Sequence, residues 1–415
     1  MLQRLLGEHS IGKRDFLVIT ILFISVFGWF YMTIPLLKYR ILENLNPTYI
    51  ETITIWAAFY VSIIGTSILG MFLSNKVERR KFLCIWTVLG VGISLVPALI
   101  NISNFGQVWI TALLLGASFG LGVPSCLAYF AESTVIENRG SVGGITFLIA
   151  NISAPLLAGL FSPFDLSTFS VVFAFMRGIG LIVFFLKPEK QASSATKVSI
   201  VSILRDRTFI LYFVAWSMFL LVDSLESGFV GPFLIDNHPT LSVNMDNIEA
   251  LVAGLTIPIA GMLCDWIGRK KNVLVGFVAL GIAYAIIGFN PKPALSWYIY
   301  FLVDGVAWGI FSLVFILILW GDLAQSGDSK KYYTLGSIPF FLSSLIPSLL
   351  PKSLVVNFSV DTAFSLAAFF LFVAVMPLVF APETLPEKKM ELRRLRSFAE
   401  EAKKAKENYE RKTGK

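Results

Sequence analysis

Runs of roughly twenty apolar residues recur twelve times along this chain, and no other feature restricts its fold so tightly. A helix of that length crosses the ~30 Å hydrocarbon core of a bilayer, where every backbone N–H and C=O has to pair within its own segment. The spans read as Phe16–Leu37, Tyr49–Leu73, Phe82–Ile100, Gln107–Phe130, Val142–Ser162 and Ser167–Leu186. A second set follows at Phe209–Ile235, Asn247–Cys264, Asn272–Phe289, Trp297–Leu323, Tyr332–Val355 and Thr362–Phe380. Only 15% of the residues are charged, against roughly 25% in a soluble globular domain. The expected fold class is an all-α integral membrane protein with twelve transmembrane helices.

The longest polar interruption, Lys187–Thr208, is Ser-rich and basic and divides the spans six and six. The expected organisation is an N-terminal half (1–186), a linker (187–208), a C-terminal half (209–381) and a basic tail (382–415). With the N-terminus inside, the inner loops collect most of the loop cations, among them Lys76, Arg79, Arg80, Lys81, Arg139, Arg269, Lys270, Lys271, Lys330 and Lys331. The outer loops hold only Lys38, Arg40, Lys292 and Lys352. Positive charge favours the cytoplasmic side, so both termini are expected in the cytoplasm of a multi-pass cell-membrane protein. The net charge of +7 then reflects that face and not a nucleic-acid surface. The first run is long enough to span and lacks a small-residue cleavage site, so it reads as a span and not as a signal peptide. Membrane lipids are the expected surroundings, and a monomer suits the two-half design.

Cys84, Cys126 and Cys264 lie in or beside apolar runs, and His9 and His238 lie outside them. No Cys/His cluster of ligand spacing occurs, so neither a metal nor a cofactor is expected.

An internal repeat links the halves. Asn75-Lys-Val-Glu-Arg-Arg-Lys81 aligns without gaps to Asp265-Trp-Ile-Gly-Arg-Lys-Lys271, 190 positions on, and the same offset carries Glu132 onto Asp322. The segment Gly261-Met-Leu-Cys-Asp265-Trp-Ile-Gly268-Arg269-Lys270-Lys271 resembles the G-x-x-x-D-x-x-G-R-K/R loop of the major facilitator superfamily. In the N-terminal copy Asn75 replaces the Asp and Glu78 the Gly. Glu132-x6-Arg139-Gly140 and Pro382-Glu383-Thr384 resemble motifs of its sugar-porter branch, with Lys187-Pro188-Glu189 as a degenerate counterpart of the latter. The resemblance covers roughly residues 15–386. It implies two six-helix repeats and a cytoplasmic gate latched by Asp265, Arg269, Glu132 and Arg139, with Gly261, Gly268, Lys270, Asn75, Arg79 and Asp322 in the same loops. Asn75 keeps a hydrogen bond but no charge, so the N-terminal latch is expected to be the weaker.

Ionisable groups within the bilayer are costly and usually functional. Arg177 falls in span six, Asp223 and Glu226 in span seven, and Asp304 in the outer half of span ten. Asp223 and Glu226 share a helical face, and Arg177 is expected at the depth of Asp223, where a pair that parts during a cycle would take up and release a proton. The bland reading is a structural ion pair, or an outer vestibule for Glu226 and Asp304. Trp29, Tyr31, Ser125, Tyr129, Asn151, Trp308 and Ser337 are candidate cavity residues, though each type more often serves packing. Ala154-Pro155-x-x-x-Gly159 partly resembles a motif of proton-coupled drug antiporters, with Ala in place of the diagnostic Gly.

The first span has no carboxylate and the seventh no Gln-Gln-rich segment, which are features of proton-coupled sugar porters. The leading expectation is a secondary active or facilitative transporter moving a small solute, a sugar or another organic compound, by alternating access, with protons as a coupling partner. The second is proton-driven efflux of lipophilic compounds. A non-transporting sensor or an intramembrane enzyme is the third. An enzyme would need convergent catalytic groups, and the sequence offers none.

Overall fold

The computed structural model describes residues 11–160, 164–185, 198–324, 328–350 and 358–385, together with Leu395, and its regular elements are all helices. The N-terminal six are α1 (Lys13–Leu45), α2 (Tyr49–Leu73), α3 (Arg79–Ala98), α4 (Phe105–Ser133), α5 (Arg139–Leu160) and α6 (Leu166–Phe184). The C-terminal six are α7 (Arg207–Asn237), α8 (Pro239–Ile267), α9 (Arg269–Phe289), α10 (Ala294–Ala324), α11 (Ser329–Ser343) and α12 (Val360–Phe380). Eleven of these are long and apolar enough to span; α11 is shorter. Lys187-Pro188-Glu189 and the tail beyond Leu385, Leu395 excepted, lie outside the described residues, as do Ser162 and most of the linker.

Several helices outrun their expected limits. The α1 helix continues past Leu37 through a π-helical stretch, Leu36–Leu42, so Lys38 and Arg40 belong to a helix and not a loop. Pro239 at the first turn starts α8 eight residues before Asn247. The expected eleventh span breaks after Ser343, with a short helix at Ile346–Leu349 opening on Pro347. Proline cannot donate the amide bond that would continue a helix.

Within the N-terminal half α2 packs on α4, and within the C-terminal half α9 packs on α12 and α8 on α10; α5–α8 and α2–α11 join the halves. Lipid tails are as apolar as leucine, so these contacts depend on close packing and not on escape from water. Large side chains such as Phe175, Phe289, Leu251 and Phe380 accordingly point outward. Glycine sets the nearest approaches: a Cβ added at Gly120 would stand 2.2 Å from the Ile63 carbonyl oxygen, and one at Gly116 2.2 Å from that of Phe59. Between the halves, a Cβ at Gly140 would stand 2.4 Å from the Gly261 oxygen, and one at Gly261 2.3 Å from the Gly140 oxygen.

Gly120→Val should therefore destabilise the protein by about 1–3 kcal/mol through overpacking and lower its melting temperature in detergent by several degrees. Gly92→Ala, where an added Cβ meets nothing within 4 Å, should be neutral or slightly stabilising. Scanning fluorimetry reads both, and equal shifts would contradict the packing account.

Candidate functional site

The face of the bundle carrying the basic loops is held by one buried carboxylate. Asp322, near the end of α10, accepts from Arg139 Nη1 at 2.5 Å and from Arg269 Nε at 3.0 Å. Arg139 begins α5 in one half and Arg269 begins α9 in the other, so both halves meet on a side chain with no solvent exposure. Arg269 also reaches Asp265 at 3.2 Å and donates to the carbonyl of Ile136. Asp265 in turn accepts from the backbone amides of Gly140 and Ser141 at 2.9 and 2.7 Å and from the Ser141 hydroxyl. These amides are at the N-terminus of α5, where unpaired N–H groups and the helix dipole favour an anion.

The loop sequence fits these bonds. Gly268 has φ +104°, a left-handed conformation unfavourable to other residues, and an added Cβ would strike Glu383. Glu383 accepts from the amides of Arg269 and Lys270 at 2.9 and 3.1 Å, capping α9, and Thr384 Oγ1 donates to Asp322 at 3.3 Å. Lys270 Nζ donates to the Val379 carbonyl. The Pro382-Glu383-Thr384 segment is thus built into the clasp.

A weaker copy stands 190 positions earlier. Arg79 pairs with Glu132 at 2.7 Å, as Arg269 does with Asp322. Ser329 donates to Glu132 at 3.1 Å where Arg139 binds Asp322, and Lys330 donates to Asn75 where Gly140 and Ser141 bind Asp265. Glu132 is 37% exposed, so solvent screens its pair more than it does the buried clasp.

Between the halves is a narrow cavity lined by aromatic and aliphatic groups from both, including Phe27, Phe30, Tyr31, Phe119, Trp216 and Phe341. Ser337 and Tyr333 add hydroxyls to its lining. Tyr31 and Ser337 are the two sequence-predicted cavity residues that it reaches. Trp29 instead donates to Ser94 at 2.7 Å and stacks on Phe173. Asn151 bonds the Phe147 carbonyl of its own helix, and Tyr129 packs beneath Arg79. Ser125 is buried beside the cavity residues Val123 and Leu127 on α4, outside the lining. Trp308 lies behind Trp216, their ring centroids 6.4 Å apart.

The expected pairing of Arg177 with Asp223 is corrected. Arg177 is fully buried in the N-terminal half, where Nη1 donates to the Ser25 carbonyl at 3.0 Å and the guanidinium lies 4.1 Å from the Trp86 ring centroid. Arg177 stands seven residues from the linker-side end of α6 and Asp223 sixteen residues from the linker-side start of α7, and the two helices belong to different bundles. Asp223 instead accepts from Trp308 Nε1 at 3.1 Å. Glu226 accepts from Tyr300 and Tyr284 hydroxyls at 2.8 and 3.3 Å. Glu226 and Asp304 are 3% and 2% exposed, which excludes a wet vestibule around them in this conformation. Glu249 of α8 joins the same group, beside Asp304. Sequence reasoning passed over it because it falls in the first turn of the expected eighth span, where a charge reads as a boundary.

A model described as Major Facilitator Superfamily matches residues 18–238, more than half of the sequence. The chain belongs to the major facilitator superfamily. Over 109 residues it is 26% identical to the putative transporter YoaB of Bacillus subtilis (strain 168), covering 25% of this chain and 26% of that protein. The chain thus spans about a quarter of the length of this curated relative. Its fold is similar to that of the proton:xylose symporter XylE bound to 6-bromo-6-deoxy-D-glucose, with TM-score 0.67, 15% identity, and coverage of 89% of this chain and 96% of the other. It is also similar to the human organic anion transporter MFSD10 (TETRAN), with TM-score 0.64, 15% identity, and coverage of 88% and 99%.

Asp322→Asn would leave two buried guanidiniums without their shared charge, and losing one member of a buried pair costs about 3–5 kcal/mol. Hydrogen–deuterium exchange of segments 131–141 and 264–272 should rise at least tenfold in the variant, and unchanged protection would show that the clasp does not hold this face closed.

Proposed function

We propose that the chain is a secondary transporter that moves a small, weakly polar organic solute by alternating access, with protons as the coupling ion. The observation carrying this reading is the aromatic cavity lined by both halves, which the Asp322 clasp joins at the basic face. A sugar needs several polar partners for its hydroxyls, because a polar group left unmatched on binding costs affinity. The lining offers Tyr31, Tyr333 and Ser337 among many rings and aliphatic groups. Rings and apolar side chains instead suit a flat or lipophilic solute, through burial and stacking.

Asp223 is the group we assign to coupling. It stands two turns beyond Trp216 on α7 and binds Trp308, whose ring packs on that of Trp216. Rearrangement around a solute would therefore reach the carboxyl through two indoles. The basic face is read as cytoplasmic, from the distribution of loop cations. The carboxyl group in an apolar surround also favours lipophilic cations, the solutes of the efflux reading.

The experiment uses the full chain in proteoliposomes and a panel of sugars, organic anions, amino acids and lipophilic cations. A ligand at a hundredfold its Kd should stabilise the fold by about 2.7 kcal/mol, and weakly polar aromatic compounds should give this shift. A pH gradient should drive accumulation of the same compounds, Asp223→Asn should abolish it, and Ser337→Trp should block transport by filling the cavity. A shift confined to sugars would overturn the solute assignment, and accumulation surviving in Asp223→Asn would overturn the coupling assignment.

A further inference from the structure

Arg177 of α6 carries a buried charge outside both the clasp and the cavity. It has no solvent exposure, and no ion pair among the described residues includes it. Its guanidinium lies 4.1 Å from the Trp86 ring centroid and 5.3 Å from that of Trp29, within cation–π reach of both. Gly90 of α3 makes room for it, since a Cβ there would strike Nε. Nε and Nη2 have no hydrogen-bond partner, while Nη1 donates to the Ser25 carbonyl at 3.0 Å. An ionised group kept inside the bilayer at such cost is usually functional, and its hydrogen bond points to α1.

Ser25 belongs to the π-helical turn Ile24–Gly28 of α1, and the contact is reciprocal: Ser25 Oγ donates to the Arg177 carbonyl at 2.7 Å. Here α6 is irregular as well, tightening to a 3₁₀ turn at Ile179–Leu181. The two turns fit each other closely. A Cβ at Gly180 would stand 2.5 Å from Ser25 Oγ, and one at Gly28 would strike Met176. Helices depart from regular winding where a side chain enters the backbone ladder, and π and 3₁₀ turns within helices recur at functional segments. Ser25 and Arg177 thus lock one irregular turn onto the other.

The winding of α1 sets which of its side chains reach the cavity. Phe27 lies in the π-helical turn, Phe30 and Tyr31 follow it, and all three line the cavity. Phe30 stacks on Phe119 with 4.2 Å between centroids and meets Phe341 of the other half edge-on at 6.3 Å. An α-helix turns by about 100° per residue and a π-helical turn holds roughly one residue more, so regular winding would swing Phe30 by about 100°, away from both rings. We infer that Arg177 is a positioning residue for the solute cavity: bonded to the Ser25 carbonyl, it keeps α1 in the π-helical turn that presents Phe27, Phe30 and Tyr31 to the space between the halves. Its consequence for solute rests on the transporter reading, but the winding of α1 is measurable without transport.

Cysteine pairs read that winding in the full chain reconstituted in lipid bilayers. Phe30→Cys with Phe341→Cys reports on α1. Phe119→Cys with Phe341→Cys, whose rings stand 6.2 Å apart in the unmodified protein, reports on the same approach of the halves without α1. Cross-linking by a short bifunctional methanethiosulfonate is quantified by peptide mass spectrometry. Arg177→Met should abolish the first cross-link and leave the second unchanged, and Arg177→Lys, which keeps a cationic donor, should retain both. Should Arg177→Met fail to fold, Gly180→Ala, which presses a methyl group on Ser25, should abolish the same cross-link. An undiminished first cross-link in the variant that folds, an equal fall of both pairs, or loss of the first pair with lysine as well would overturn the inference. Solute exchange by the unmodified protein tests the transporter reading separately, so failure of one does not imply failure of the other.

Discussion

The carboxylate of Asp322 is the point on which the arrangement of the two halves depends. Removing a carboxylate from water costs several kcal/mol, and mutual attraction offsets this only when the geometry is good and the remaining lone pairs are filled. Here Arg139, Arg269 and Thr384 share its two oxygens. Each guanidinium is anchored in turn: Arg139 donates to the carbonyls of Ala131 and Thr134, and Arg269 to those of Cys264 and Ile136. The network forms only because Gly140 and Gly261 let α5 and α8 touch backbone to backbone. Such a network is stable when complete and costly when partly broken, so partly broken arrangements of this face are disfavoured.

Charge is distributed unevenly over the pseudo-symmetric frame. At the basic face, the C-terminal loop holds Asp265 and Arg269 whereas its N-terminal counterpart has Asn75, so one clasp is buried and ionic and the other mixed and half exposed. Deeper in the bundle the asymmetry takes another form. Arg177 is confined to the N-terminal half against Trp29 and Trp86, and the carboxyls to the C-terminal half. The aromatic cavity lies between, and π-helical turns interrupt two of the helices that line it: Ile24–Gly28 in α1 and Ser312–Ile318 in α10. Such turns often mark functional segments, and here they carry Phe27 and Phe315 to the cavity.

The helices were legible in the sequence because a bilayer demands long apolar runs, and the repeat was legible because inner-loop charges keep their spacing. Side-chain partners were not. Arg177 and Asp223 read from the sequence as lying at similar depth on consecutive helices, but the helix limits and the bundle that each helix joins are decided by packing among all twelve. Glu249 was hidden by a boundary: without the Pro239 start of α8 it reads as an end residue. The function of Glu383 was hidden because capping a distant helix leaves no periodic trace. Trp29, Asn151 and Tyr129 had the chemistry of cavity residues, yet Trp29 and Asn151 spend their hydrogen bonds inside the N-terminal bundle and Tyr129 packs there against Arg79.

The claim at the centre of this account is that the clasped face opens and closes during function. Double electron–electron resonance between spin labels at Lys81 and Lys271, exposed positions in opposite halves, measures that motion directly in the reconstituted chain. The account predicts two distance populations, with the longer one gaining as pH or solute is varied. A single short distance under every condition would contradict it.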